Sequence, residues 1–351
     1  MAMQNSPKPL RTVKQYRYSR TPIGKGAFGK VYLGHHVSDP HFFVAVKEIT
    51  PNGEVTKSFI RSHEIDTIKY ISHKNLVQLI DFELGSMVIL IMEYCNGGSL
   101  DSYINNIEHL PLDSTKLRYI FKQITDAMCF LIEHKIVHRD LKPANILIRH
   151  DHTSEGMAIT KIPLEDLTFK VADFGMARVF SDDEEFRTVC GTYLYMAPEV
   201  PTRSYSAKSD VWSMGVMILE CLFGNRKLRE LYRINQLGTR VPVNTDRALV
   251  NLIRCVLERD PQKRFDFHRI RRHVFFRNDS VSTQTTRDAV PLQLFRNNPP
   301  VTIETLQNVI KNIDSTPDGE SCLDDTVVID SEDDLDLDEV EKLRLPVEFR
   351  R

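Results

Sequence analysis

The stretch His138-Arg139-Asp140-Leu141-Lys142-Pro143-Ala144-Asn145 decides how the rest of the chain is read. It places an aspartate and an asparagine five residues apart in one short loop. An Asp so placed accepts the proton of an attacking hydroxyl, while the Asn holds a metal ion, so nucleophile and electrophile meet side by side. The candidate catalytic residues of this spacing are therefore Asp140 and Asn145.

Working outward, the apolar positions Ile120, Ile124, Ala127, Met128 and Leu131 predict a helix over 117–134 that delivers the chain to the loop. Beyond it, Ile146-Leu147-Ile148 predicts a short strand, with Leu147 as the floor of an adenine pocket. Twenty-seven residues separate Asn145 from Asp173. Much of that span, 151–167, is longer than a hairpin needs and reads as a surface loop. A strand-like Phe169-Lys170-Val171 then leads into Asp173-Phe174-Gly175, which offers Asp173 as a second metal ligand beside Asn145. The segment that follows ends at Ala197-Pro198-Glu199.

Upstream, Tyr16 to Ile23 alternates large and polar residues and runs into Gly24-Lys25-Gly26-Ala27-Phe28-Gly29-Lys30-Val31. Glycines permit close backbone approach to phosphates. The rival reading, a dinucleotide-binding turn, needs a helix directly after the glycines, whereas Val31-Tyr32 continues as strand. Phe42 to Lys47 reads as a buried strand ending in a lysine, and Glu64 follows on a helix marked by Ile60, Ile65, Ile68 and Ile71. A strand Lys paired with a helix Glu is a device for holding the α- and β-phosphates. Val88 to Met92 is a further apolar run, and Glu93 to Gly98 changes to a connector whose backbone can meet an adenine edge. The nucleotide contacts expected are Ile23, Gly24, Gly26, Gly29, Val31, Ala45, Lys47, Glu64, Met92, Glu93, Cys95 and Leu147, with ATP and Mg²⁺ as cofactors.

Composition bounds the remaining possibilities. The chain has 351 residues, 41% of them hydrophobic, enough for a large two-lobed domain with sequence to spare. No 18-residue apolar run and no signal peptide occur, so the expected compartment is the cytoplasm, with the nucleus as the alternative. The six scattered cysteines read as free thiols. A formal charge of −2 hides an asymmetry: residues 318–341 hold twelve acids and no Lys or Arg, and residues 1–317 carry +7. That basic body suits a phosphate-rich ligand, and its dispersed charge argues against nucleic acid as a partner.

The ordered set of glycine loop, Lys47, Glu64, Asp140, Asn145, Asp173 and Ala197-Pro198-Glu199 resembles the eukaryotic protein kinase superfamily over residues 17–277. The resemblance implies an α+β, two-lobed fold: a small β-rich N-lobe (17–93) and a larger helical C-lobe (98–277), after an N-terminal extension (1–16). It implies that Met92 gates the back of the adenine pocket, that Lys142 steadies the transferred phosphate, and that Asp210 braces the catalytic loop. It also implies a pair between Glu199 and Arg264. Lys142 and Thr192 resemble the serine/threonine class, whose partners are protein substrates bearing Ser or Thr. The segments Met92–Leu100, Thr188–Gly191, Met196–Glu199 and Arg264–Phe267 look like the ULK group of autophagy-initiating kinases. Two features depart from that group: Asn225-Arg226-Lys227-Leu228 replaces the usual Pro-Phe after Gly224, and the long Ser/Pro spacer with its helical C-terminal domain is missing.

Arg139 reads as a buried-prone cation that a phosphate on Thr188 or Ser181 would satisfy, ordering the loop. Asp182, Asp183, Glu184 and Glu185 are rival partners for it, or a solvated face. The tail, 278–351, turns polar and then acidic and is expected to be mostly disordered. Within it, Val327-Val328-Ile329-Asp330 resembles a SUMO-interaction motif, in which an extended peptide adds to a sheet edge. An acidic tail with a stray apolar patch is the plainer reading. Two functions stand: an active serine/threonine kinase, or a pseudokinase scaffold working through its tail.

Overall fold

The computed structural model describes residues 10–26, 29–49, 69–107, 110–151, 158–174, 193–202, 205–233, 241–242 and 244–277. Alternation of large and polar side chains in the first ninety residues produces an antiparallel six-stranded sheet in the order β1-β2-β3-β4-β6-β5. The strands are β1 Arg11–Val13, β2 Tyr16–Gly26, β3 Gly29–His36, β4 Asp39–Ile49, β5 Leu79–Leu84 and β6 Val88–Glu93. One face buries Val13, Tyr16, Tyr18, Tyr32, Val44, Val46 and Ile91 as a core. Register sets the other face: Val31 lies opposite Lys47, and Ala45 opposite Met92. Because side chains alternate with period two, Val31, Ala45, Lys47 and Met92 share one surface.

The strand read as buried from Phe42 onward is only half so. Phe42 and Phe43 are 45% and 49% exposed. Pairing of β4 with β6 ends at Val44 opposite Glu93, so beyond it β4 is covered on the β3 side alone, where Phe43 lies opposite His35, and Phe43 leans on Tyr94 with centroids 6.4 Å apart.

Below the sheet the chain is helical. Its elements are α1 Leu100–Asn106, α2 Ser114–Glu133, the ribbon of β7 Ile146–Arg149 with β8 Thr168–Val171, α3 Ala207–Arg233, α4 Arg247–Val256, α5 Phe267–Arg271 and α6 Val274–Arg277. Helix α2 begins three residues before the sequence expectation because the Asp113 carboxylate accepts the Lys116 N–H at 2.9 Å and caps it. Its predicted stripe, Ile120, Ile124, Ala127, Met128 and Leu131, is wholly buried. Helix α3 breaks at Gly224, whose φ of +75° is one that L side chains disfavour.

Residues 151–167 were expected as a surface loop; Ala158, Lys161, Pro163, Glu165 and Asp166 are indeed exposed, but the loop is anchored in the core at two points. Ile162 and Leu167 are buried, and the Tyr119 hydroxyl donates to the carbonyls of Glu165 (3.0 Å) and Leu167 (3.3 Å). The pair that the resemblance implied is present: Arg264, fully buried, donates from Nη1 and Nη2 to the two oxygens of Glu199 at 2.6 and 3.0 Å. Cys95, Cys129, Cys221 and Cys255 are free thiols. Cys190 and Cys322 lie outside the described residues. No described helix is long and apolar enough to cross a membrane.

Candidate active site

The loop 138–145 is held from beneath by one buried carboxylate. Asp210, near the start of α3, accepts the backbone N–H of His138 at 2.9 Å and of Arg139 at 3.0 Å. A third donor, the Tyr205 hydroxyl, reaches the same carboxylate at 2.5 Å. Burial pushes Asp210 above the ordinary carboxylate range even though His138 and these donors oppose the shift. Burial likewise pushes the Tyr205 phenol well up, which keeps it a donor at neutral pH. His138 is itself buried; its Nε2 donates to the Ala172 carbonyl at 2.9 Å, and its Nδ1 accepts the Asp140 N–H at 3.2 Å.

On this platform the predicted residues converge. Asn145 donates from Nδ2 to the Asp140 carbonyl at 2.7 Å and to Asp140 Oδ2 at 2.9 Å. Lys142 Nζ lies 3.0 Å from the same Oδ2. Among the described residues Asp140 Oδ1 takes no bond, and the Asp140 side chain is 20% exposed. Since Nδ2 of Asn145 is committed to Asp140, its Oδ1 remains as an acceptor.

Asp173 comes to the site from the other strand of the ribbon. Its Oδ1 receives Lys47 Nζ at 2.8 Å, joining β4 to the residue after β8 and Ala172. Burial alone would raise the Asp173 carboxyl; Lys47, its hydrogen bond, His138 and Lys142 outweigh that, and the net shift is downward. Both Arg139 (φ +68°) and Asp173 (φ +58°) hold left-handed backbone conformations. Such strain persists where surrounding bonds fix it.

The cleft walls follow from register. Val31, Ala45 and Met92 share the sheet face that carries Lys47, and Leu147 lies on β7 opposite Lys170. Ile23 is 53% exposed at the rim. At the connector, Cys95 makes no described hydrogen bond with either its N–H or its carbonyl, while burial and Glu93 push its thiol up to about 12. The glycines divide by cause. A Cβ on Gly24 or Gly26 would meet nothing, whereas one on Gly29 (φ +147°) would sit 1.9 Å from the Glu48 carbonyl oxygen. Gly29 is thus required by the sheet itself, Gly24 and Gly26 by nothing within it.

Arg139 departs from expectation: its side chain is exposed and its guanidinium lies 5.9 Å from the Tyr205 ring centroid. What is tied to the buried Asp210 is its backbone N–H. Glu64, Ser181, Thr188 and Val327 to Asp330 lie outside the described residues. Sequence reading missed Tyr205 and Lys170, since each finds its partner through the fold and neither belongs to the loop motif. A lysine between Phe169 and Val171 was the one available signal.

A β-sheet lobe over a helical lobe, with a Lys–Asp pair across the cleft and an Asp–Asn loop beneath, defines a protein kinase. The chain belongs to the protein kinase domain family, whose model matches residues 18–276. Within that family it is ULK-like. It is 36% identical over 276 residues to the human serine/threonine-protein kinase ULK1, covering 75% of this chain and 26% of that protein. It is 35% identical over 259 residues to human ULK3 (70% and 51%) and 31% identical over 288 residues to atg1 of Schizosaccharomyces pombe (71% and 34%). The chain spans about a quarter to a half of the length of these relatives.

Proposed function

We propose that this chain is a serine/threonine protein kinase that transfers the γ-phosphoryl group of ATP to Ser or Thr of protein substrates. One observation carries the reading: Asp140, Lys142 and Asn145 are interlocked by contacts within 3.0 Å, and Lys47 of β4 pairs with Asp173 at 2.8 Å. The donor set fits Mg²⁺, which takes one or two carboxyl or amide oxygens and fills its sphere with phosphates and water. Asp173 Oδ2 and Asn145 Oδ1 are the oxygens left over by the bonds described. The free N–H and carbonyl of Cys95 fit an adenine edge, with Val31, Ala45, Met92 and Leu147 as apolar walls, Ile23 at the rim and Glu93 anchoring the connector.

ATP with Mg²⁺ supplies the phosphoryl group and neutralises its charge. The chain's own residues do the rest. Asp140 Oδ1 accepts the substrate hydroxyl proton, Lys142 steadies the transferred phosphate, and Lys47, with Glu64 as its proposed second partner, orients the α- and β-phosphates. Gly24 and Gly26 let the strand backbone approach them. Phosphorylation of Thr188 or Ser181 is the proposed activating step. The domain limits proposed are 17–277, with 278–351 as a tail whose Val327-Val328-Ile329-Asp330 segment docks a SUMO-like sheet edge. By likeness to the ULK group we place the enzyme in cytoplasmic, autophagy-type signalling, with the nucleus as the alternative compartment.

The test is label transfer from γ-labelled ATP to a generic protein acceptor by the full chain, after treatment with an activating kinase. Label confined to Ser and Thr supports the reading. ATP binding with no transfer gives the protein to the pseudokinase scaffold reading.

A further inference from the structure

Lys170 is a buried cation that the proposed reaction does not use. It is 8% exposed, lies on β8 three residues before Asp173, and stands opposite Leu147 in the ribbon. A lysine withdrawn from water requires an anion. Its Nζ is 3.0 Å from Glu93 Oε2, and it also donates to the Leu76 carbonyl at 3.4 Å. The Glu93 carboxylate has two more donors: Arg149 Nη1 reaches Oε1 at 2.7 Å, and the Gln78 N–H reaches Oε2 at 3.3 Å. The backbone closes the group, since the Glu93 N–H donates to the Gln78 carbonyl at 2.9 Å.

These residues come from two layers. Gln78 leads into β5 and Glu93 ends β6, both in the upper sheet; Arg149 ends β7 and Lys170 is on β8, in the ribbon below. Beyond the connector, Gly97 N–H donates to the Ile148 carbonyl and Ile148 N–H to the Gly98 carbonyl, each at 2.8 Å. The segment that carries Cys95 is therefore pinned to the Leu147 strand at both ends, by an ion cluster at one and backbone bonds at the other. The Arg149 side chain is 47% exposed and contributes little to such a clamp, whereas the Lys170 side chain is 9% exposed.

We propose that Lys170 is a positioning residue for nucleotide binding: through Glu93 it holds the connector and the Leu147 strand at the separation an adenine ring occupies. The inference rests on the ATP reading above. A cleft whose walls are fixed before the ligand arrives does not have to order them on binding, and that saving appears as affinity. Transfer itself depends on Asp140, Asn145 and Asp173, which Lys170 does not touch. The role therefore separates in the kinetics: KM for ATP moves and kcat stays.

The experiment compares the full chain with Lys170→Met and Lys170→Arg. It measures Kd for a fluorescent ATP analogue with Mg²⁺, KM and kcat for ATP, and the melting temperature. Lys170→Met, which keeps the volume and drops the charge, is expected to raise Kd and KM about tenfold with kcat within about twofold, and Lys170→Arg to restore most of the loss. Unchanged Kd in Lys170→Met, or a fall in kcat with KM constant, overturns the proposal. Should Lys170→Met not fold, Lys170→Gln removes the same charge while keeping a polar side chain, with the same expected rise and the same overturning result. A wild type that binds no nucleotide overturns the ATP reading instead, and that outcome is visible before any variant is compared.

Discussion

Asp210 shows how much of this site is built from one buried carboxylate. Three donors converge on it, two from the backbone of the catalytic loop and one from Tyr205. Removing one donor from a buried acceptor costs about 1–3 kcal/mol, because the acceptor stays desolvated. Tyr205→Phe keeps the ring beside Arg139 and deletes only that donor. We expect it to lower stability by about 1–2 kcal/mol in a urea titration and to reduce kcat severalfold with KM for ATP unchanged. A variant as stable as wild type would mean that the hydroxyl holds nothing. At this scale Asp140, Lys142, Asn145 and Asp173 were legible in the sequence because their chemistry is declared by local spacing. Tyr205 and Lys170 were not, because their partners lie 5 and 77 residues away with no periodicity connecting them.

Strands and turns were read from period and glycine, and the elements show where that reading stops. Alternation along β4 gives Ala45 and Lys47 a common face, but it does not reveal that pairing with β6 ends before Phe43, where two rings stay half-exposed. Nor does a motif separate one glycine's purpose from another's. Gly29→Ala forces a Cβ into the Glu48 carbonyl in a left-handed backbone, so β3 and β4 must part. It is expected to cost about 2 kcal/mol or more in stability. Gly24→Ala meets no atom and should leave the melting temperature within a degree or two, its effect appearing instead in KM for ATP. Equal destabilisation by the two substitutions would refute the division. The 151–167 span was legible in principle, since Ile159, Ile162, Leu164 and Leu167 offer an apolar spacing that a surface loop does not need.

For the molecule as a whole, pH-dependent stability has an identifiable source. Burial lowers His73 and His273 below their ordinary value of 6.5; at His73 the nearby Asp126 opposes the shift, while Lys74 and Lys170 add to it. Both rings accept a backbone N–H at Nδ1, from Asn75 at 3.1 Å and from Phe275 at 3.2 Å. A depressed folded value means that the unfolded chain binds protons first as pH falls. Their contribution is complete above pH 6.5 and is lost as pH drops through the folded values. Melting temperature should therefore decline from pH 7 to about pH 5, and less steeply in His73→Gln/His273→Gln; identical slopes would assign the effect elsewhere. The two-lobed architecture itself was legible because the loop 138–145 and the motifs on either side of it, most of them weak alone, agree in order. The measurement that bears most directly on the enzyme reading is single-turnover phosphoryl transfer by wild type and Asp140→Asn at saturating Mg²⁺ and ATP. A fall of about a thousandfold or more with ATP affinity kept within about twofold is the predicted result. Transfer by Asp140→Asn within about tenfold of wild type would remove Asp140 from the reaction and contradict the account.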